Sequence, residues 1–170
     1  MIKKCSAVES QEILDRMLLG AMLDSFRVCS SMLEIRFLRI PVVPEIPGEV
    51  WLTATCVLLV KTSHGELIVS EPLDSFVEER RAAILGLYDL IGESVVGINI
   101  AENNQLNCQI GSTQLVFSPD LSVEDDAWEM ESKQSENEQC WYFGCFGDGE
   151  LVCRLPDESW KRLAVPRSSR

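Results

Sequence analysis

The sequence has a single histidine, His64, no Cys-x-x-Cys pair and only 15 Lys plus Arg against 27 Asp plus Glu, and each shortage removes a class of function. A Ser-His-Asp or Cys-His triad would have to use His64, which precedes Gly65 in what reads as a hairpin turn and so looks like an ordinary surface residue. No serine sits in a G-x-S-x-G elbow, and neither a Walker loop nor G-x-G-x-x-G is present. Gly147-Asp148-Gly149 reads as a hairpin turn. The closest cysteines, Cys140, Cys145 and Cys153, lack the paired spacing of a structural zinc site. Residues 120–126 are acidic but lack the alternating oxygen ligands and central glycine of a calcium loop. The expectation is a protein with no catalytic residue, no metal ligand and no cofactor.

Long apolar runs are absent too. The longest, such as Cys56-Val57-Leu58-Leu59-Val60, fall far short of the roughly 20 residues that span a bilayer, so no membrane partner is expected. Lys3 and Lys4 lead into an amphipathic stretch where an export signal would have a continuous apolar core, which points to the cytoplasm. Seven cysteines, several of them within strand-like apolar runs, suit packed, reduced thiols better than a disulfide framework.

What is present is a globular composition: 170 residues, 46% apolar and 25% charged. Ile13, Leu14, Met17, Leu18, Ala21 and Met22 recur at three and four, which predicts a helix over Ser10–Leu23. From Met32 to Ile40 the pattern alternates, with Leu33, Ile35 and Phe37 inward and Glu34 and Arg36 outward. Pro41, Pro44, Pro47 and Gly48 then impose a constrained loop. Val50–Thr62 and Glu66–Glu71 read as a hairpin. Ser75 and Glu78 form a capping box that opens a second helix, with Val77, Ala83, Ile84, Leu87, Tyr88 and Ile91 as its buried face and Gly92 as its stop. Val95–Ile100, Gln105–Ile110 and Thr113–Phe117 form a meander, followed by strands over Ala127–Glu131, Cys140–Phe146 and Leu151–Leu155. The fold class expected is α+β: a single domain over residues 1–160, with a mainly antiparallel β-sheet and two main helices, then a flexible basic tail over 161–170.

Charge is distributed unevenly. Residues 120–160 carry 12 acidic and 2 basic side chains, whereas residues 161–170 carry 4 basic and none acidic. A net charge of −12 argues against direct nucleic-acid binding, because the cations that neutralise phosphates are lacking. One reading of the acidic stretch is a solvated face that aids solubility. The other is a surface that steers a basic protein partner onto it, with Trp128 and Trp141 either anchoring that interface or filling the core of strands.

The stretch Leu90-Ile91-Gly92, Val95–Ile100, Leu106–Ile110, Leu115-Val116-Phe117-Ser118-Pro119-Asp120, Ala127-Trp128-Glu129-Met130 and the Cys140–Arg154 hairpin resembles small bacterial α+β proteins that include immunity proteins of toxin–immunity systems. The resemblance spans residues 87–155. It implies a cytoplasmic immunity protein that binds and neutralises a cognate toxin domain, as in contact-dependent growth inhibition. With the charge distribution, the expected partner is a basic toxin domain such as a nuclease, and the expected toxin-binding residues are Glu124, Asp125, Asp126, Glu129, Glu131, Glu136 and Glu138. Two other readings stay open. One is a small-molecule or peptide binder with Trp51, Tyr88 and Trp141 lining a pocket between the sheet and the second helix. The other is a non-catalytic adaptor subunit of a larger assembly.

Overall fold

A computed structural model describes residues 2–29, 32–44, 46–63, 65–69, 77–101, 103–120, 127–132, 140–146 and 149–156; for 66–69, 77–80 and 83 the description is of the backbone. The first helix, α1 (Ala7–Leu18), follows the two-residue strand β1 (Lys3–Lys4). It starts earlier than its apolar periodicity suggests because Ser6 and Glu9 form a capping box, in which each side chain reaches the other's backbone N–H. It also ends earlier, at Gly20 with φ +79°. Arg39 closes that end, donating from Nη1 to the Leu19 carbonyl at 2.8 Å and from Nη2 to that of Arg16 at 3.1 Å. Ala21 and Met22, predicted on the helix, instead lead into β2 (Met22–Val28).

The alternation of Leu33, Ile35 and Phe37 is that of β3 (Leu33–Leu38), and all three are buried. The apolar run 50–62 is two strands, β4 (Glu49–Ala54) and β5 (Val57–Thr62), which belong to different sheets. The bend lies at Thr55, whose N–H donates to the Ala127 carbonyl at 3.0 Å while its hydroxyl accepts from the Ala127 N–H at 3.1 Å. β5 and β6 (Gly65–Val69) form the expected hairpin. The second helix, α2 (Val77–Tyr88), packs on β6 and β5. Leu87 is buried, but Tyr88 is 65% exposed and Ile91 42% exposed, because the helix stops at Tyr88 and Leu90 turns inward in their place. Ser75 of the expected capping box lies outside the described residues, and Val77 and Ala83 are described as backbone alone.

The meander is β7 (Val95–Ile100), β8 (Leu106–Ile110) and β9 (Thr113–Ser118), and the chain ends in β10 (Trp128–Glu131), β11 (Tyr142–Cys145) and β12 (Leu151–Arg154). The architecture is α+β and antiparallel, with its strands divided between a seven-stranded sheet, β1-β12-β11-β10-β4-β3-β2, and a five-stranded one, β6-β5-β9-β8-β7. Both sheets and α1 enclose one contiguous apolar core, in which Trp128, Phe37, Phe117 and Phe143 are fully buried. The Trp128 indole N–H donates to the Asn104 carbonyl at 2.9 Å, and the Asn104 amide donates to the Gly149 carbonyl at 2.9 Å. One left-handed residue, Asn104 with φ +60°, thus ties the β7–β8 turn to the β11–β12 turn.

Cys5 and Cys153 form a disulfide with a Cα–Cα distance of 6.4 Å, which corrects the expectation that all cysteines are reduced. β1 pairs with β12, so Lys3 faces Cys153 and Cys5, two residues further on, falls within bonding reach. Sequence spacing does not reveal a pairing between residues 148 apart. Cys29, Cys56, Cys108, Cys140 and Cys145 form no disulfide, and burial pushes the Cys108 thiol up to about 12. No helix among the described residues is long and apolar enough to cross a membrane. The expected boundary at residue 160 lies outside the described residues.

Candidate functional site

Strand alternation gives the seven-stranded sheet a dry face and a wet one. On β3 and β4 the inward residues are Leu33, Ile35, Phe37, Val50, Leu52 and Ala54; Glu34, Arg36, Glu49, Trp51 and Thr53 point outward and are half-buried. Register then sets one outward row in line across five neighbouring strands: Arg36 faces Trp51, Trp51 faces Glu131, Glu131 faces Tyr142, and Tyr142 faces Arg154. Neighbours in such a row stand about 5 Å apart, within reach of aromatic and long side chains.

The left of the row is held by Arg36. Its guanidinium donates to Asp24 Oδ2 at 3.1 Å and Glu49 Oε2 at 3.0 Å and lies 5.9 Å from the centre of the Trp51 ring. The Trp51 indole N–H donates to the same Glu49 carboxylate, at 2.7 Å. The hydrogen bond to Glu49 holds the Arg36 pKa above its ordinary value. On the right, the Tyr142 hydroxyl donates diagonally to Glu129 Oε2 at 2.8 Å. Burial, then that hydrogen bond, raises the phenol pKa, so Tyr142 keeps its proton throughout the physiological range. Glu129 faces Gly144, where a Cβ would come within 3.1 Å of the Glu129 Cβ and 3.2 Å of the Trp128 carbonyl oxygen. Glycine there lets β11 approach β10 this closely. Arg154 Nη2 donates to the Cys140 sulfur at 2.7 Å, and the Nε atoms of Arg36 and Arg154 are buried without a hydrogen-bond partner among the described residues.

Five carboxylates serve this face. Asp24 and Glu49 share Arg36, Glu34 pairs with Arg27, and Glu129 accepts from Tyr142. Glu131 alone of the five has no hydrogen-bond or ion-pair partner among the described residues, and it is exposed. The surface therefore runs cation, indole, anion, phenol, cation. It offers fixed charge and flat aromatic area, the composition of a protein-recognition surface.

No family model, curated protein or solved structure matches this chain. The site must be read from its own geometry. Of the seven expected toxin-binding residues, Glu129 and Glu131 lie side by side on this outer face, one in each of two adjacent rows. Glu124, Asp125, Asp126, Glu136 and Glu138 lie outside the described residues, as does His64. The aromatic residues change roles. Trp128 and Trp141 are buried in the core, so they anchor strands and not an interface. Trp51 stands on the opposite face of the sheet from Trp141, and Tyr88 is exposed on α2, so the three expected to line one pocket are not brought together. Sequence reasoning missed Arg36, Tyr142 and Arg154. The outward parity of Arg36 is visible in its strand, but the row exists only through pairings between strands far apart in the chain. No group of three or more His, Cys, Asp or Glu residues able to hold a metal occurs among the described residues.

Proposed function

We propose that this chain is a non-catalytic immunity protein that binds a basic toxin domain through the outer face of its seven-stranded sheet and blocks that domain's activity. The observation that carries the reading is the row Arg36, Trp51, Glu131, Tyr142 and Arg154, with Glu129 beside it. Partly exposed aromatic side chains held among carboxylates suit a partner rich in Lys and Arg, and the net charge of −12 adds long-range attraction to it. In this reading the protein works in the cytoplasm and acts on no substrate of its own. Cytoplasmic reductants keep most thiols reduced, so the binding face is expected to persist with Cys5 and Cys153 as free thiols, β1 being held as well by the Lys3–Glu9 and Lys4–Glu150 ion pairs.

The test is co-purification with the product of the adjacent upstream reading frame, followed by titration of the complex against salt and an assay of that product's toxicity. A tight complex that weakens steeply with salt and abolishes toxicity is the expected result. A complex insensitive to salt, or no complex at low salt, removes the acidic-interface reading.

A further inference from the structure

We propose that Glu131, flanked by Trp51 and Tyr142, is a receptor for an arginine side chain of the partner protein. The inference rests on the reading of this face as a binding surface and names what that surface recognises.

Three observations converge on it. First, Glu131 faces Trp51 on one neighbouring strand and Tyr142 on the other, so an exposed carboxylate stands between two aromatic side chains. Second, each ring is held in place by a different carboxylate, Trp51 by Glu49 and Tyr142 by Glu129, which leaves the Glu131 oxygens uncommitted among the described residues. Third, the molecule already uses this recognition internally, since Arg36 binds Glu49 while lying over Trp51. A planar guanidinium satisfies a carboxylate with two parallel N–H bonds while stacking on a ring; a lysine ammonium, compact and more strongly hydrated, makes only the point-charge contact. Arg154 disfavours cations at one end of the row, and at the other Asp24 and Glu49 are already engaged by Arg36, which leaves Glu131 for an incoming cation.

The experiment titrates the full chain with two synthetic peptides of equal length and charge, one carrying arginines and the other lysines, and follows the indole N–H resonance of Trp51. The expected result is about tenfold tighter binding of the arginine peptide, with the Trp51 resonance shifting on binding. Glu131→Gln is expected to remove that tenfold preference, whereas Glu93→Gln, at an exposed turn away from this row, keeps it. If both peptides bind equally and Glu131→Gln matches Glu93→Gln, the arginine receptor is overturned while the acidic binding surface stands. If neither peptide binds even at low salt, the acidic surface itself fails. Two further outcomes overturn the choice of partner. Concentration-dependent dimerisation without peptide that Glu131→Gln abolishes assigns the receptor to a second copy. A tenfold gain in peptide affinity on Arg162→Ala/Arg167→Ala/Arg170→Ala assigns it to this chain's own basic tail.

Discussion

The two sheets share a core but turn very different faces outward. On the seven-stranded sheet the outward positions are Glu34, Arg36, Trp51, Glu129, Glu131, Tyr142 and Arg154, ionisable or aromatic almost throughout. On the five-stranded sheet one corresponding row runs Asn99, Asn107, Val116 and Leu59, and another Gln109, Gln114 and Lys61. Amides make local bonds, as Gln109 does to the Gly111 carbonyl at 3.0 Å, but carry no field. Both patterns solubilise a sheet. Only the charged and aromatic one combines a long-range field with flat aromatic area, and the proposed binding surface is therefore on the seven-stranded face.

The largest test asks whether the two sheets are one cooperative body. Trp128→Ala is expected to cost about 4 kcal/mol, the usual range for a buried tryptophan, and to strand the Asn104 carbonyl as well. Denaturant unfolding should show a single transition at lower midpoint; two transitions would mean that the sheets fold separately. Next in size is the tie between the turns. Asn104→Ala loses the amide bond to Gly149 and places a less tolerant side chain at positive φ, costing about 2 kcal/mol by the same measurement. Asn104→Gly keeps the backbone conformation, so it should cost about half as much.

The comparison of faces is sharpened by matched substitutions. Glu129→Lys/Glu131→Lys is expected to slow association with the basic partner about tenfold and flatten its salt dependence, at a stability cost of about 2 kcal/mol because the Tyr142 hydroxyl loses its acceptor. Gln109→Lys/Gln114→Lys, on the other sheet, should leave association within about twofold. Equal slowing by both pairs, read in stopped-flow kinetics, would reduce the preference of the partner for one face to net charge alone. The smallest effect is in the pH dependence of stability. Hydrogen bonds from Lys3 and from Ser6 hold Glu9 down from 4.5 to about 2, so its contribution is fully present above pH 4.5 and is lost as the pH falls toward 2. Because Glu9 is well solvated the loss is small; Glu9→Ala should remove this part of the acid dependence and cost about 1 kcal/mol of helix capping at neutral pH.

Much of the fold is legible in local patterns. The alternation in β3, the Thr62–Gly65 turn and the β7-β8-β9 meander are short-range features, and the strands appear where turn residues bound them. The failures are instructive. Ser6-x-x-Glu9 is a capping box in plain sight, yet the apolar repeat that begins later in the helix draws the eye past it. Ala21 and Met22 fit the helical period equally well, and only Gly20 marks the stop. The run 50–62 is uniformly rich in β-formers, so nothing in its composition signals that the strand leaves one sheet for the other at Thr55. At the candidate site the acidic residues are visible as residues, whereas their setting is not. Trp51 and Glu131 meet through a pairing between residues 80 apart, and such a register has no local signature.

The bend at Thr55 has a consequence in time. The chain leaves the seven-stranded sheet there and returns at Ala127, 72 positions later, so the free side of β4 has no partner until β10 is synthesised. At about 5–20 residues per second, ribosomal synthesis leaves that edge open for roughly 4 to 14 s. An uncovered strand is a template for wrong pairings, and charge next to it is a common safeguard. Glu49 on β4 itself, and Glu34 and Arg36 on the neighbouring β3, place charge close to that edge while it waits for its partner strand.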